Sequence, residues 1–175
     1  MSKLIGIDIY GVLLDITGGI IQYTGSDNID TSCGTIDFDL FKRELSDYDF
    51  INGLELNEEV LELKDYISFL YLDTDYNIKL IEKLLNNLDI KNIPIITNEG
   101  GLVSKNAVIS DSDIIFGTNK IDYFITSDKN FIENNCFNEK IDVYLYSKYI
   151  NESVKIRKRI FSINNFINKK ILKNG

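Results

Sequence analysis

Asp8 closes a short apolar run, Leu4-Ile5-Gly6-Ile7, and is followed by Ile9-Tyr10-Gly11-Val12-Leu13. A carboxylate at the tip of a buried strand, with a glycine loosening the turn after it, can present one nucleophile at the open edge of a parallel sheet. Two further apolar runs end in side chains of the same reactive kind. Ile93–Thr97 finishes in Thr97-Asn98 before a Gly-Gly pair, and Asp122–Thr126 finishes in Ser127-Asp128. Lys120 stands just before the latter run, and Lys105 follows the former at helical distance. In an open parallel sheet the C-terminal strand ends meet in one crevice, so Asp8, Thr97 and Asp128 are expected to gather there although distant in sequence. Each has a plainer reading alone: Asp8 as a turn former, Thr97-Asn98 as a strand end, Lys120 as a solvated loop residue, Asp128 as the cap of a helix starting at Lys129. Only the joint arrangement favours chemistry.

The run Asp8-Ile9-Tyr10-Gly11-Val12-Leu13 resembles the first motif of the haloacid dehalogenase superfamily, D-x-D-G-T/V-L. Asp8, Thr97, Lys120 and Asp128 follow one another in the order of that superfamily's four motifs, and the likeness covers residues 1–16 and 75–147. The resemblance implies Asp8 as a nucleophile forming an aspartyl intermediate and Thr97 as the hydroxyl that holds a phosphoryl oxygen. Lys120, or Lys105 in its place, would balance the charge, and Asn98 and Lys105 would contact substrate. Mg²⁺ would be held by Asp8, the Tyr10 carbonyl and Asp128. Those roles agree with physics: phosphoryl transfer depends on in-line placement and positive charge around the equatorial oxygens, and Mg²⁺ favours oxygen ligands and retained waters.

Tyr10 departs from the motif, since most phosphatases of the superfamily carry a second Asp there, which protonates the leaving oxygen and then activates water. Such proton transfer is worth about 10²–10⁴ in rate, and a tyrosine pKa near about 10 makes a poor base at neutral pH. Three functions follow from the resemblance. The first is a phosphatase or nucleotidase acting on small phosphomonoesters or nucleotides. The second is an inactive binding or regulatory protein on the same fold. The third is a 2-haloacid dehalogenase, whose motif carries Tyr at this place because halide leaves without protonation. Val12 stands where those dehalogenases have Thr, and Asp128 beside the site suits a cation better than a metal-free pocket.

Composition narrows the chemistry further. The 175 residues are 44% apolar, enough for one domain with a sizeable core. There is no His, and Cys33 and Cys136 lack any zinc-ligand spacing, which excludes His-based triads and argues against a zinc site. Both cysteines read as reduced side chains of an intracellular protein. No apolar run reaches membrane-spanning length and no signal-like N-terminus is present, so a cytoplasmic protein without a membrane partner is expected. The net charge of −8 is uneven: residues 148–175 carry eight basic side chains against one acidic (+7), and the remainder eleven against twenty-six (−15). The acidic body argues against broad nucleic-acid binding, and the basic C-terminal segment reads first as a solvated helix face, with docking on the acidic body or contact with an anion or polyanion as the alternatives.

The elements that must position these residues alternate between strand and helix, which predicts an α/β fold: a three-layer, Rossmann-like parallel sheet with a small helical cap. Residues 1–17 and 73–175 form the expected core, and 18–72 the cap. Within the cap, Gly18–Thr35 reads as a flexible flap holding a short strand at Ile20-Ile21-Gln22-Tyr23, and Phe38–Leu45 and Asn57–Phe69 have helical spacing. Tyr23, Lys42 and Arg43 are the cap side chains most suited to select a substrate. Asp75–Leu88 is the clearest helix, with Ile78, Ile81, Leu85 and Leu88 in one stripe and Thr74 or Asp75 as its cap. A helix is expected around Leu102–Ile109, strands at Ile114–Phe116, Asp122–Thr126 and Asp142–Tyr146, and a helical turn at Lys129–Asn135. The end of the chain reads as an edge strand from Arg159 and a short amphipathic helix.

Overall fold

A computed structural model describes residues 5–25, 29, 36–62, 64–74, 77–91, 93–97, 107–110, 113–116, 119–120, 122–129, 132, 141–148 and 151–172, with the strands between 107 and 120 described by backbone alone. The architecture is α/β. Six parallel strands, β1 (Ile5–Asp8), β2 (Ile67–Leu72), β3 (Ile95–Thr97), β7 (Tyr123–Thr126), β8 (Asp142–Tyr146) and β9 (Arg159–Ile160), lie in the order β3-β2-β1-β7-β8-β9. Between β3 and β7 in the chain, β4 (Ala107–Ser110), β5 (Asp113–Phe116) and β6 (Asn119–Lys120) form a separate antiparallel sheet.

Parallel strands covered on both faces read as continuous apolar runs, as IGID, ISFLYL and YFIT do here. Alternate side chains divide between the two faces. Ile5, Ile7, Leu70, Leu72, Ile95, Tyr123 and Ile125 join the larger apolar cluster, and Phe69, Tyr71, Ile96, Phe124 and Val143 the smaller. In the smaller one the Phe69 and Phe124 rings stack with centroids 5.9 Å apart. The Phe69 ring lies across β1 at Gly6, where a Cβ would come within 2.0 Å of it. Glycine is therefore required in the middle of this strand.

Six helices bury side chains in the larger cluster: α1 (Ile16–Thr24), α2 (Lys42–Leu45), α3 (Tyr48–Asn52), α4 (Glu58–Glu62), α5 (Ile78–Asn87) and α6 (Ile163–Lys170). Among the described residues, no helix is long and apolar enough to cross a membrane. The helix at α5, the strands β5, β7 and β8, and the edge strand followed by α6 all lie where the sequence pattern puts them.

Three stretches differ from expectation. Gly18 and Gly19 suggest a loop, yet they sit inside α1, which Asp15 caps by accepting from the Gly18 amide at 3.3 Å. Helix α1 packs so closely on Leu54 that a Cβ at Gly19 would fall 2.1 Å from that side chain. The helical spacing of Asn57–Phe69 ends early: α4 stops at Glu62, a single turn covers Lys64–Tyr66, and Ile67–Leu72 is a sheet strand beside β1, not part of a cap. Its five apolar residues, with Ser68 among them, satisfy two buried faces, which outweighs the coincidental i, i+7 match of Val60 and Ile67. Residues 107–110, expected at the end of a helix, pair with β5 as a strand. Cys33, Cys136 and most of Lys129–Asn135 lie outside the described residues.

Candidate active site

The chain runs outward from β1 through β2 to β3 on one side of the sheet, and from β7 through β8 to β9 on the other. The order therefore turns back between β1 and β7, and ligands of open α/β sheets bind in the crevice outside such a point, at the C-terminal strand ends. Asp8 is the last residue of β1, and Thr126-Ser127-Asp128 ends β7 beside it.

Asp8 is 4% exposed. Its Oδ2 accepts a hydrogen bond from Thr126 Oγ1 at 2.7 Å, and Thr126 Oγ1 in turn accepts from the Asp128 amide at 3.0 Å. Asp8 Oδ1 is buried and has no hydrogen-bond partner among the described residues. Burial pushes the Asp8 carboxyl well above its ordinary value, and the charges of Asp73 and Asp128 push it further, against the hydrogen bond from Thr126 and a weaker opposing pull from the Tyr10 backbone amide.

The turn after β1 is held from β7. Ser127 Oγ donates to the Tyr10 carbonyl at 3.3 Å and occupies the space a Cβ at Gly11 would need, 1.8 Å from it. Gly11 also has φ +89°, so glycine is demanded twice over. Behind Ser127 stands Asn151, fully buried, whose Nδ2 donates to the carbonyls of Ser127 at 2.7 Å and Tyr146 at 2.9 Å.

The expected site residues separate into two groups. Asp8 and Asp128 come together through Thr126. Thr97 ends β3, paired with Leu72, so a whole strand lies between it and β1, a separation of about 10 Å at the usual strand spacing. Tyr10 is in the core, 1% exposed, with its ring 5.1 Å from that of Phe38. Its hydroxyl accepts from Asn77 Nδ2, which also donates to the Leu45 carbonyl at 2.8 Å, while Thr74 Oγ1 donates to Asn77 Oδ1 at 3.1 Å. Lys120 lies in β6 of the antiparallel sheet, described by backbone only. Asn98 and Lys105 lie outside the described residues. Tyr23 is exposed on α1, edge-on to Phe50, and Lys42 and Arg43 are exposed on α2.

Asp73 is the residue the sequence reading missed. It follows β2, two positions beyond Tyr71, the register partner of Asp8. Burial raises its carboxyl, the Tyr71 side chain opposes the rise, and Asp39 adds to it. The signal was available, because Ile67–Leu72 followed by Asp73-Thr74 repeats the strand-then-carboxylate pattern of Asp8. Thr126 and Asn151 carried no comparable signal.

A buried carboxylate with one oxygen anchored and one open, flanked by two more carboxylates, can take a proton, hold a cation or attack an electrophile. Among the described residues, no three His, Cys, Asp or Glu side chains gather closely enough to form a metal cluster by themselves. No protein-family model matches the sequence, and no curated protein matches it significantly.

Proposed function

We propose that this protein is a hydrolase of the haloacid dehalogenase type, moving a phosphoryl group from small phosphomonoesters or nucleotides to Asp8 and then to water, with Mg²⁺ as cofactor. The observation that carries this reading is Asp8 Oδ1, an open carboxylate oxygen buried at the point where the strand order reverses. An unsatisfied buried acceptor costs about 1–3 kcal/mol, and more when charged. Such a cost is expected where the oxygen has chemistry to perform. The strand order supports the same reading. With the antiparallel sheet set aside, the parallel strands run third, second, first, fourth, fifth, sixth, an order compatible with a Rossmann-like nucleotide-binding sheet.

In this reading Asp8 Oδ1 attacks phosphorus in line with the leaving oxygen, the new O–P bond forming as the old one breaks. Thr126 holds Oδ2 and fixes the plane of the carboxylate. Water then hydrolyses the aspartyl phosphate, restoring Asp8 and releasing inorganic phosphate. Thr97 ends a strand one further out than β2, so it is assigned no contact to the transferred group; Asn98 would contact that group, and Lys120 or Lys105 would balance its charge. The donor set fits Mg²⁺ in kind: the carboxylates of Asp8 and Asp128 and the carbonyl of Tyr10 are hard oxygens, and retained waters complete the shell. When bound, the ion would neutralise the carboxylates and polarise the phosphoryl oxygens.

The Tyr10 hydroxyl is bound to Asn77, so no acid stands two residues after the nucleophile to protonate the leaving group. Activated esters should therefore react much faster than alkyl phosphates. The same burial of Tyr10 favours a second reading, a protein that binds a phosphorylated ligand without turning it over. The test is Mg²⁺-dependent release of p-nitrophenol from its phosphate ester, and of phosphate from nucleoside monophosphates, by wild type and Asp8→Asn. Loss of activity in the variant is expected, and equal rates would refute the nucleophile. Ligand binding without turnover would leave the second reading, and halide release from a 2-haloacid would favour the dehalogenase.

A further inference from the structure

A chain of hydrogen bonds crosses the C-terminal edge of the sheet, from β9 to the turn after β1. It starts at Arg159, the first residue of β9. The Arg159 guanidinium donates to Ser147 Oγ at 3.1 Å, Asn151 Oδ1 at 3.0 Å, the Asn151 carbonyl at 2.8 Å and the Val154 carbonyl. Asn151, in the link between β8 and β9, carries the restraint onward. Its Nδ2 donates to the Tyr146 carbonyl at the end of β8 and to the Ser127 carbonyl just past the end of β7. Ser127 Oγ donates in turn to the Tyr10 carbonyl. The four strands joined in this way are neighbours in the sheet, in the order β1-β7-β8-β9.

Asn151 is the fixed point of the chain. An amide side chain offers two N–H donors and one oxygen with two lone pairs. All four are used: the donors by the Ser127 and Tyr146 carbonyls, the oxygen by Arg159 and by the Lys148 amide at 3.1 Å. Exchanging the amide nitrogen and oxygen would set donors against donors, so the side chain has one orientation. A side chain this polar is tolerated at full burial because every group on it is met. What it secures is the pair Ser127-Asp128, and the turn beyond. The Ser127 hydroxyl binds the Tyr10 carbonyl and fills the space beside Gly11, so a shift of Ser127 carries that turn with it. Asp128 is restrained from the other flank, where its amide donates to Thr126 Oγ1.

We propose that Asn151 and Arg159 are positioning residues of the site, holding the Tyr10 carbonyl and Asp128 in place for Mg²⁺. The inference rests on the reading of those two residues as ligands of the ion. Groups that orient metal ligands from behind set the affinity of a site nearly as much as the ligands do. Mg²⁺ is the more sensitive to them because it demands near-octahedral geometry and gains little from donors that wander. Neither Asn151 nor Arg159 reaches the ion in this arrangement. Both act through Ser127.

The test is titration calorimetry of the full chain with magnesium chloride, with no substrate present. Asn151→Leu keeps the shape of the side chain and removes its hydrogen bonds, and should weaken Mg²⁺ binding about tenfold or more. Arg159→Gln should weaken it as well. Loss of a positive charge would by Coulomb attraction alone tighten a cation, so the sign of this change separates positioning from simple electrostatics. Phe166→Leu is the control: it loosens the packing on Tyr123 at the opposite end of β7. It should lower the melting temperature and leave Mg²⁺ affinity as in wild type. If Asn151→Leu does not fold, the direction of the Arg159→Gln change decides. Equal or tighter binding by Arg159→Gln, or wild-type affinity in folded Asn151→Leu, overturns the inference and leaves the hydrolase reading intact. So does an equal loss of affinity in Phe166→Leu. A wild type that binds no Mg²⁺ overturns the metal reading itself, and this inference with it.

Discussion

Thr126 Oγ1 donates to Asp8 Oδ2 at 2.7 Å across 118 positions of sequence, and the same oxygen accepts from the amide of Asp128. One hydroxyl thus joins the ends of the two strands between which the sheet order turns back. It also explains why only one oxygen of Asp8 stays open. Thr126→Val removes the donor but keeps the shape, and the cost should be about 1–3 kcal/mol because a buried acceptor loses its partner. Urea unfolding would measure it. Thr126→Ser should recover most of the loss.

Asp8→Asn should stabilise the protein at neutral pH. The Asp8 carboxyl lies above its ordinary 3.8 in the folded chain, so the folded state binds the proton more tightly than the unfolded one. The stability this contributes is fully present below about pH 3.8 and is lost as pH rises through the raised folded value. Ionising the buried Asp8 carboxyl therefore costs the folded state stability as pH rises, a cost the amide does not carry. The advantage of the variant over wild type should be larger at pH 7 than at pH 4. Paired denaturation curves at the two pH values check this, and a variant less stable than wild type at pH 7 would contradict the assignment of a raised carboxyl.

Tyr10→Phe should cost about 1 kcal/mol of stability through the lost bond to Asn77. It should leave any pH–rate profile unmoved, because that hydroxyl points into the core. Tyr10→Asp would restore the acid of the family pattern but place a carboxylate against Phe38 and Asn77, and should destabilise by several kcal/mol. Circular dichroism melts of both variants separate folding from chemistry.

Gly11→Ala meets two obstacles, a positive φ and the Ser127 hydroxyl in the place of its Cβ. A loss of about 2 kcal/mol or more is expected. Gly11→Ala combined with Ser127→Gly should recover the part due to the clash and leave the part due to φ. Thermal melts of the single and double variants give both numbers.

Deleting residues 155–175 should unfold the protein or lower its melting temperature sharply. The segment supplies β9 and the buried Ile163, Phe166 and Ile167, each worth about 1.5–3 kcal/mol of apolar burial. An unchanged melting temperature would make it a free tail.

The sequence alone determined the parallel α/β class, β1 with its terminal carboxylate, the glycine turn after it, and the strand-then-helix ending. Each rests on local signals: a fully apolar run for a doubly covered strand, periodicity for a helix, glycine where the backbone is forced. Long-range contacts decided the rest. The pair Gly18-Gly19 reads as loop chemistry until Leu54 occupies the space beside it. Ile67–Leu72 could be helix or strand by local pattern, and pairing with β1 makes it a strand, which sets Asp73 beside Asp8 and Thr97 one strand further out. Tyr10 looks like a reactive residue by its place in the motif. Its burial against Phe38 and Asn77 is fixed by elements far along the chain. The hydrogen bond from Thr126 and the orphaned oxygen of Asp8 belong to the same class, since burial and partnership are properties of the assembled sheet, to which no single segment commits beforehand.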